Sequence, residues 1–535
     1  MLESTPTIYR ASQIVAQSNR GPDPDAFAVT GEQITATGML SELTDRFPGA
    51  EVVDFGDTVV VPGFNDAHAH LAMTAEDVLH LDLSHKAVAD IDALLGAIGH
   101  EAANTPVGLW LRGSRYDDQK TGPLNRDQLD KIAPDHPVLV THVAAHWGVV
   151  NSAALAQLGI DESTPAPEGG SYDRDPGGRL NGRLVERALM NVALPTEADG
   201  DATIPASSPA DLQRGLARAS RSWNAAGLTS VCDAWVRPDD IAMFSAARAA
   251  GDLTLRLGML LTIDYYDKVA ALGIGSGFGD DWLRLLGIKM FVDGAIGGRT
   301  CLLSEPFHDG VGTPIQTTPT KTLMADVARV HRDGMRVGVH ANGDTAIRLT
   351  LDAMEAAARE TPRPGLRHRI EHCTVIDDEI LRRMKALNVI AVPFAGYAAY
   401  HGGALNTWYG PDRVDRMFAH RSFLDAGVTV AASSDYPCGP IEPLLGMQSL
   451  VTRAGIDDGI VVGEKQRISA AEALRVFTLE SAEACGDAGR KGRIEPGYLA
   501  DFTVLDANPL TVDPSGIAAI GVRGTYVGGR QVYSA

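Results

Sequence analysis

The chain of 535 residues is poor in cysteine and aromatic residues, has fewer basic than acidic residues, and contains no long apolar run. Its five cysteines, Cys232, Cys301, Cys373, Cys438 and Cys485, are scattered, odd in number and never spaced as C-x-x-C. That excludes a disulfide frame and a cysteine zinc site, and it fits a reducing compartment. No stretch approaches the ~18 apolar residues of a membrane span. The opening MLESTPTIYRASQIVAQSNRG lacks the basic and apolar regions of a secretion signal, so a cytoplasmic location is expected. With 47 Lys and Arg against 68 Asp and Glu, the formal charge is -21 and no basic patch stands out. This argues against nucleic acid or an anionic membrane as partner and leaves a small molecule as the expected one.

What is present is enough apolar residue, 44%, to bury a large core, in one large domain with appendages or in two to three domains. Residues 1–60 read as short strands between turns (TIYRASQIVA, AFAVTGEQITATG, AEVVDFGDTVVV), and residues 490–535 have the same character. There Gly528-Gly529 sits between two strand-like runs as a two-residue hairpin turn does. The two ends are therefore expected to pair as a small composite β-sandwich. Between them, residues 61–489 alternate apolar runs with helical periodicity, the pattern of parallel βα repeats. The clearest unit is MRVGVHANGDTAIRLTLDAMEAAARE: a strand ending at His340, Asp344 placed as a helix cap, then Ile347, Leu351 and Met354 on one face. Further strands are expected at GLTSVCDA, LTLRLGMLL, LRLLGIKMFVDG, LRHRIEHC, NVIAVPF and VTVAASSD. With the run before His68 they make eight, which predicts a TIM-like (β/α)8 barrel. Residues 71–220, with helical segments and the loop PAPEGGSYDRDPGGRLNG, read as a large insertion after the first strand that overhangs the barrel mouth.

In TVVVPGFNDAHAHLAM an apolar run ends and His68 and His70 follow, two apart and so on one side of a strand end, as metal ligands are placed. With 15 His in the chain an H-x-H arises roughly 0.4 times by chance, so the pair carries weight only in company. The other strand ends supply it: Lys289, His340, His372 and Asp435 all fall where barrel strands run out into one mouth. Each has a plain alternative, in that Lys289 could pair with Asp293 and Asp435 could cap a helix. Jointly the alternatives are hard to sustain.

Several motifs in order, PGFNDAHAH, HVAAHWGVVNSAAL, GGSYDRDPGGRLNGRLVE, AGLTSVCDA, KMFVDGAIGGRT, VHANGD, RIEH, SSDYP and GRIEPGYLADFTVLD, make nearly the whole chain resemble the amidohydrolase superfamily, specifically the N-substituted formamide deformylase-like enzymes of amidohydrolase family 3. The resemblance implies one or two divalent ions, with zinc suited to the donor set. His68, His70 and Asp435 would hold one ion and His340 and His372 the other, bridged by Lys289 carboxylated by CO2. It implies hydrolysis of an amide or formamide by activated water, with Asp435 as general base and then acid. Where relatives commonly carry Asp-Gly-His and Gly-Trp-Asp, this chain has Ala144-Ala145-His146 and Arg115-Tyr116-Asp117. His146, Asp117, Arg299 and His401 are accordingly candidates for substrate contact, Tyr397 and Trp408 for the wall; Arg299 could instead pair with an acid such as Asp293. Barrels of this kind are often dimers, so a homodimer is the expected assembly. The rival readings are a deaminase, disfavoured because HANGD stands where purine deaminases carry H-x-x-E, a cyclic-amide hydrolase, and a non-catalytic protein retaining the fold.

Overall fold

The computed structural model describes residues 5–18, 21–193 and 204–535. Both chain ends enter two small facing sheets. One holds Thr7–Arg10, Ala26–Thr30, Gln33–Gly38 and Glu51–Asp54. The other holds Gln13–Ile14, Val59–Pro62, Phe502–Leu505, Val522–Val527 and Arg530–Ser534. Tyr9, Phe27, Phe502 and Tyr526 are buried together, with Phe27 edge-on to Phe502 at 5.0 Å and Tyr526 stacked on it at 4.5 Å. The hairpin turn is at Gly528-Gly529, whose φ angles of +59° and +73° call for glycine at both positions.

The Val59-Val60-Val61 run, expected among the terminal strands and also counted as the barrel strand before His68, belongs to this second sheet alone, where Val60 and Val61 pair with Val504 and Thr503. Pro62-Gly63 separates it from the true first barrel strand. Seven parallel strands follow in sequence order: β1 Phe64–Ala69, β2 Leu228–Val236, β3 Arg256–Thr262, β4 Leu283–Phe291, β5 Val337–Ala341, β6 Arg369–His372 and β7 Ile390–Val392. The eighth expected strand, VTVAASSD, forms no regular ladder, yet it closes the ring. Ala391 N–H bonds to Thr429 O and Ala395 N–H to Ser433 O on one side; Ala67 N–H bonds to Ala432 O and Asp435 N–H to His68 O on the other.

Alternation along the strands, reset on β4 by a bulge at Leu286, sorts the side chains. Ile288 and Met290 pack outward with Leu323 and Val327, and the barrel interior holds Ala67, Cys232, Leu260, Leu286, Ile390 and Val392. Lys289 and Phe291 are thereby left facing inward. Each fully buried aliphatic side chain contributes roughly 1.5–3 kcal/mol, so the small interior set and the larger outer layer together fix the register. The helix Asp344–Glu360 buries Ile347, Leu351 and Met354 on one face, as its spacing predicts. Its cap is Gly343, however; Asp344 instead accepts the Ser304 N–H at 2.9 Å and pairs with Arg348, so it ties two loops together.

The insertion differs more. Helix Ile91–Asn104 is present, but the stretch also builds a six-stranded sheet from Gly170–Arg174, Leu180–Glu186, Trp147–Val150, Val138–His142, Leu111–Tyr116 and Leu81–Asp82. The Gly/Asp/Pro-rich stretch expected as a loop is mostly an antiparallel hairpin, with Gly178 at φ +84° in its turn. The ends of residues 71–220 contribute helices Leu71–Asp77 and Pro209–Ala225, which pack on each other. Gly215 permits their approach, since a Cβ there would lie 1.9 Å from the Ala75 carbonyl oxygen.

Candidate metal centre

The mouth of the barrel is assembled by backbone ties between its first and last strands. Asp435 N–H bonds to His68 O at 2.9 Å, and the buried Asp66 carboxylate accepts N–H groups of both His68 and Ser434, each at 3.1 Å. Burial pushes the Asp66 carboxyl up to about 6 against those bonds. Asp435 and His372 adopt left-handed backbone, φ +54° and +67°, a conformation costing on the order of 1–3 kcal/mol in non-glycine residues and one that turns their side chains to the centre. His70 Nε2 and His68 Nε2 lie 3.1 and 3.3 Å from Asp435 Oδ1, and the ligand atoms of His68, His70 and Asp435 all fall within 4.8 Å of one another.

Behind this trio stands a buried ionic relay. His68 Nδ1 is 2.6 Å from Glu371 Oε2, and Arg369 grips both Glu371 oxygens at 2.7 and 2.8 Å, all with no exposed surface. Burial alone would raise the Glu371 carboxyl; Arg369 and His68 outweigh it and hold the group far below its usual range. A neutral His68 donates Nδ1–H to Glu371 and keeps its Nε2 lone pair for the centre, the arrangement typical of metal-ligating histidine. His68 Nε2, near Asp435 Oδ1 but without hydrogen-bond geometry to it, and His372 Nδ1 are buried with no hydrogen-bond partner among the described residues. Leaving such atoms orphaned is unfavourable, and a divalent cation is what the donor set fits. Burial pushes Asp435 up, but His372, His68 and His70 outweigh this and hold it well below the usual carboxylate range, ready as an anion.

Lys289 is buried, 4.7 Å above the Phe291 ring, and burial pushes it down to about 8 against the pull of Glu371 and Asp435. Among the described residues Lys289 makes no ion pair with Asp293, whose carboxylate accepts the backbone N–H groups of Leu302, Asn342 and Gly343 at 2.8 to 2.9 Å. Arg299 is likewise not paired with Asp293; it binds Asp309 at 3.1 Å. The rings of His340 and His372 lie 4.5 Å apart, and both line the pocket. His340 Nε2, though, is 3.1 Å from Gly294 O and from Asn342 Nδ2, directed into the loop after β4. Burial holds both rings well below their ordinary pKa.

His146 reaches the pocket from the insertion, its Nδ1 2.7 Å from Glu186 Oε2. Burial pushes it down, but the Glu186 charge prevails and raises it above the ordinary histidine value, which favours the protonated ring. The pocket, about 370 Å³, is completed by Met73, Trp235, Phe291 and Cys438. Asp117 and His401 lie instead in an adjoining pocket with Asp118, His142, Tyr397 and Trp408, where Asp117 accepts the Tyr400 hydroxyl at 2.7 Å. Arg299 lines neither. Asp117, Asp118 and His142 also bring ligand atoms together, but His142 Nδ1 accepts Ala144 N–H at 3.1 Å, so its proton sits on Nε2, 3.3 Å from Asp118. His142 then has no lone pair to offer a cation, and the two carboxylates are the donors that remain. Glu371, Arg369, Glu186, Trp235 and Phe291 were not singled out from sequence; charged residues inside the otherwise apolar runs RIEH and RLVE were the available signal.

A barrel whose carboxyl-terminal mouth gathers five histidines, one of them from the insertion, a buried lysine and an aspartate is built as a hydrolytic enzyme. The chain belongs to the amidohydrolase family, hydrolases of carbon–nitrogen bonds, whose family model matches residues 51–533. It is 30% identical to YtcJ of Bacillus subtilis over 98% of this chain and 99% of that one, and 32% identical to the N-substituted formamide deformylase of Arthrobacter pascens over 94% of each. In fold it is similar to an uncharacterized metal-dependent hydrolase of Pyrococcus horikoshii, with a TM-score of 0.75 at 23% identity over 95% of this chain and 99% of that one. Among the described residues no helix is long and apolar enough to cross a membrane.

Proposed function

We propose that this protein is a metal-dependent hydrolase of small-molecule amides, N-substituted formamides in particular, with Asp435 as the proton carrier. The observation that carries the reading is the meeting of His68, His70 and Asp435 over the fully buried Glu371–Arg369 pair. A divalent ion held by His68, His70 and Asp435, zinc by its donor set, supplies Lewis acidity toward the amide carbonyl and acidifies water when bound. His340 and His372 are the candidates for holding a second ion. The chain's residues do the remainder. Asp435, an anion within reach of the site, accepts a proton as water adds to the carbonyl carbon. His146, its Nδ1 on Glu186, presents Nε2 to the pocket as the donor for the oxygen on which negative charge develops. Asp435 then returns the proton to the amine nitrogen as the C–N bond breaks, releasing amine and carboxylic acid, formate in the case of a formamide.

Lys289 enters this reading as a carbamate formed with CO2. Its burial favours the neutral amine that adds CO2, and its inward position on β4 faces the same pocket as the histidines. Lys289→Ala is then expected to lose metal and nearly all activity, with partial recovery in added short-chain carboxylic acids, and Lys289→Arg to show no recovery. The relative that cleaves N-substituted formamides, by its name, is the reason for beginning the substrate panel with that class. Turnover of such formamides by metal-replete protein supports the proposal; a metal-replete protein inert to formamides and to other small amides contradicts it.

A further inference from the structure

Against the metal pocket lies a second, roomier chamber, about 760 Å³ with its open mouth included. Met190, Trp235, Lys289 and Phe291 line both, and the Trp235 and Phe291 rings, 4.8 Å apart, give the junction an apolar face. The far side differs in character. Arg187 opens helix Arg187–Ala193, directly after the Glu186 that holds His146, and it makes no ion pair among the described residues. Of the other charges around the chamber, Arg237 is paired with Asp240 at 3.3 Å and Asp326 with Arg329 at 2.9 Å, Asp264 is an exposed carboxylate, and Lys289 lines both spaces. Thr262 Oγ1 and Thr317 Oγ1 line the same chamber, and each is buried without a hydrogen-bond partner.

An unpaired guanidinium, two unsatisfied hydroxyls and an aromatic wall are a recognition set for an anion attached to an apolar body. We propose that this chamber binds a carboxylate carried by the substrate, with Arg187 as the charge partner, the threonine hydroxyls as further donors and Trp235 and Phe291 against the apolar body. The substrates would then be amides whose acyl or amine part bears a carboxylate a few atoms from the scissile bond. This rests on the amide-hydrolase reading above, yet it can fail separately from it. A cation here also counters the chain's net charge of -21, which otherwise repels an anionic substrate.

The test is a binding titration of the metal-replete protein with 3-phenylpropanoate and with 3-phenylpropanol, a neutral probe of similar shape. The carboxylate is expected to bind on the order of tenfold more tightly or better, the scale of a charge-assisted contact. In Arg187→Met that ratio should fall to within about twofold of unity, with Arg187→Lys retaining part of it and Thr317→Val intermediate. Absence of a carboxylate preference in the wild type overturns the proposal. So does a preference that survives Arg187→Met, because the carboxylate would then be held by the metal. Neither readout requires turnover, so a protein that hydrolyses no amide refutes the function while leaving the chamber testable. One that hydrolyses neutral formamides without any carboxylate preference refutes the chamber alone.

Discussion

Glu371 touches no solvent and reaches the pocket only through His68, so it acts as a positioning residue. Its carboxylate fixes which nitrogen of His68 carries the proton and thereby which one is free to ligate. Glu371→Gln keeps the shape but loses the charge that Arg369 and His68 both use, and metal affinity should fall by about 10- to 100-fold. A chelator-competition titration reads this directly, and unchanged affinity would make the relay purely structural. At Asp435 the expected effect is on chemistry. Asp435→Asn removes the proton acceptor and preserves side-chain volume, so kcat on the best amide should drop at least ~10²-fold. A kcat within a few-fold of wild type would reassign Asp435 to tying the ends of the barrel, a task its backbone N–H already performs.

At the scale of elements, Gly215 and two other helical glycines make opposite predictions from the same principle. A methyl at Gly215 collides with the Ala75 carbonyl on the neighbouring helix, so Gly215→Ala should destabilise by ~1–3 kcal/mol through forced separation of Leu71–Asp77 from Pro209–Ala225. Gly96 and Gly99, in helix Ile91–Asn104, face open space, and alanine there should stabilise by ~0.5–1 kcal/mol. Thermal melts of the three variants check both signs. The elements that were legible in the sequence share one property. Barrel strands β4, β5 and β6 and the eighth run are apolar runs broken toward their carboxyl ends by a charged residue or a histidine, and this break is what marked Lys289, His340, His372 and Asp435. The Val59–Val61 run misled because it is as apolar as a barrel strand and is separated from β1 only by Pro62-Gly63. The sheet in the insertion was hidden because its strands are short and interleave Asn181 and Arg183 with Leu180, Leu184 and Val185, and because its hairpin glycines read as loop. Arg187 and Trp235 were not legible as site residues, since they reach the mouth from the insertion and β2 through tertiary packing that no local pattern encodes, and Glu186 offered only its charge at the end of RLVE.

Across the whole molecule, acid sensitivity has an identifiable source outside the metal centre. Val337 N–H donates to His368 Nδ1, His368 Nε2 is 2.8 Å from His331 Nδ1, and His331 Nε2 is 2.7 Å from Thr361 O. The chain of bonds is complete only with His368 neutral, its proton on Nε2. Burial, then His331 and Arg336, push His368 down from 6.5 to about 3. The unfolded chain therefore binds this proton at higher pH than the folded one, and the stability contributed by His368 is full above about 6.5 and is lost as pH falls toward 3. The unfolding midpoint should decline through that window. His368→Gln, which keeps an acceptor for Val337 without the titration, should flatten the decline; an unchanged acid limb would assign the sensitivity to other groups.

The most direct measurement of the central claim is amide turnover by protein stripped of divalent metal and then reconstituted, with His68→Ala carried in parallel. The account predicts that stripping abolishes hydrolysis, that added divalent ion restores it in the wild type, and that His68→Ala, folded by circular dichroism, binds less metal and recovers no activity. Hydrolysis at an undiminished rate by the stripped wild type, or full metal content and turnover in His68→Ala, would contradict it.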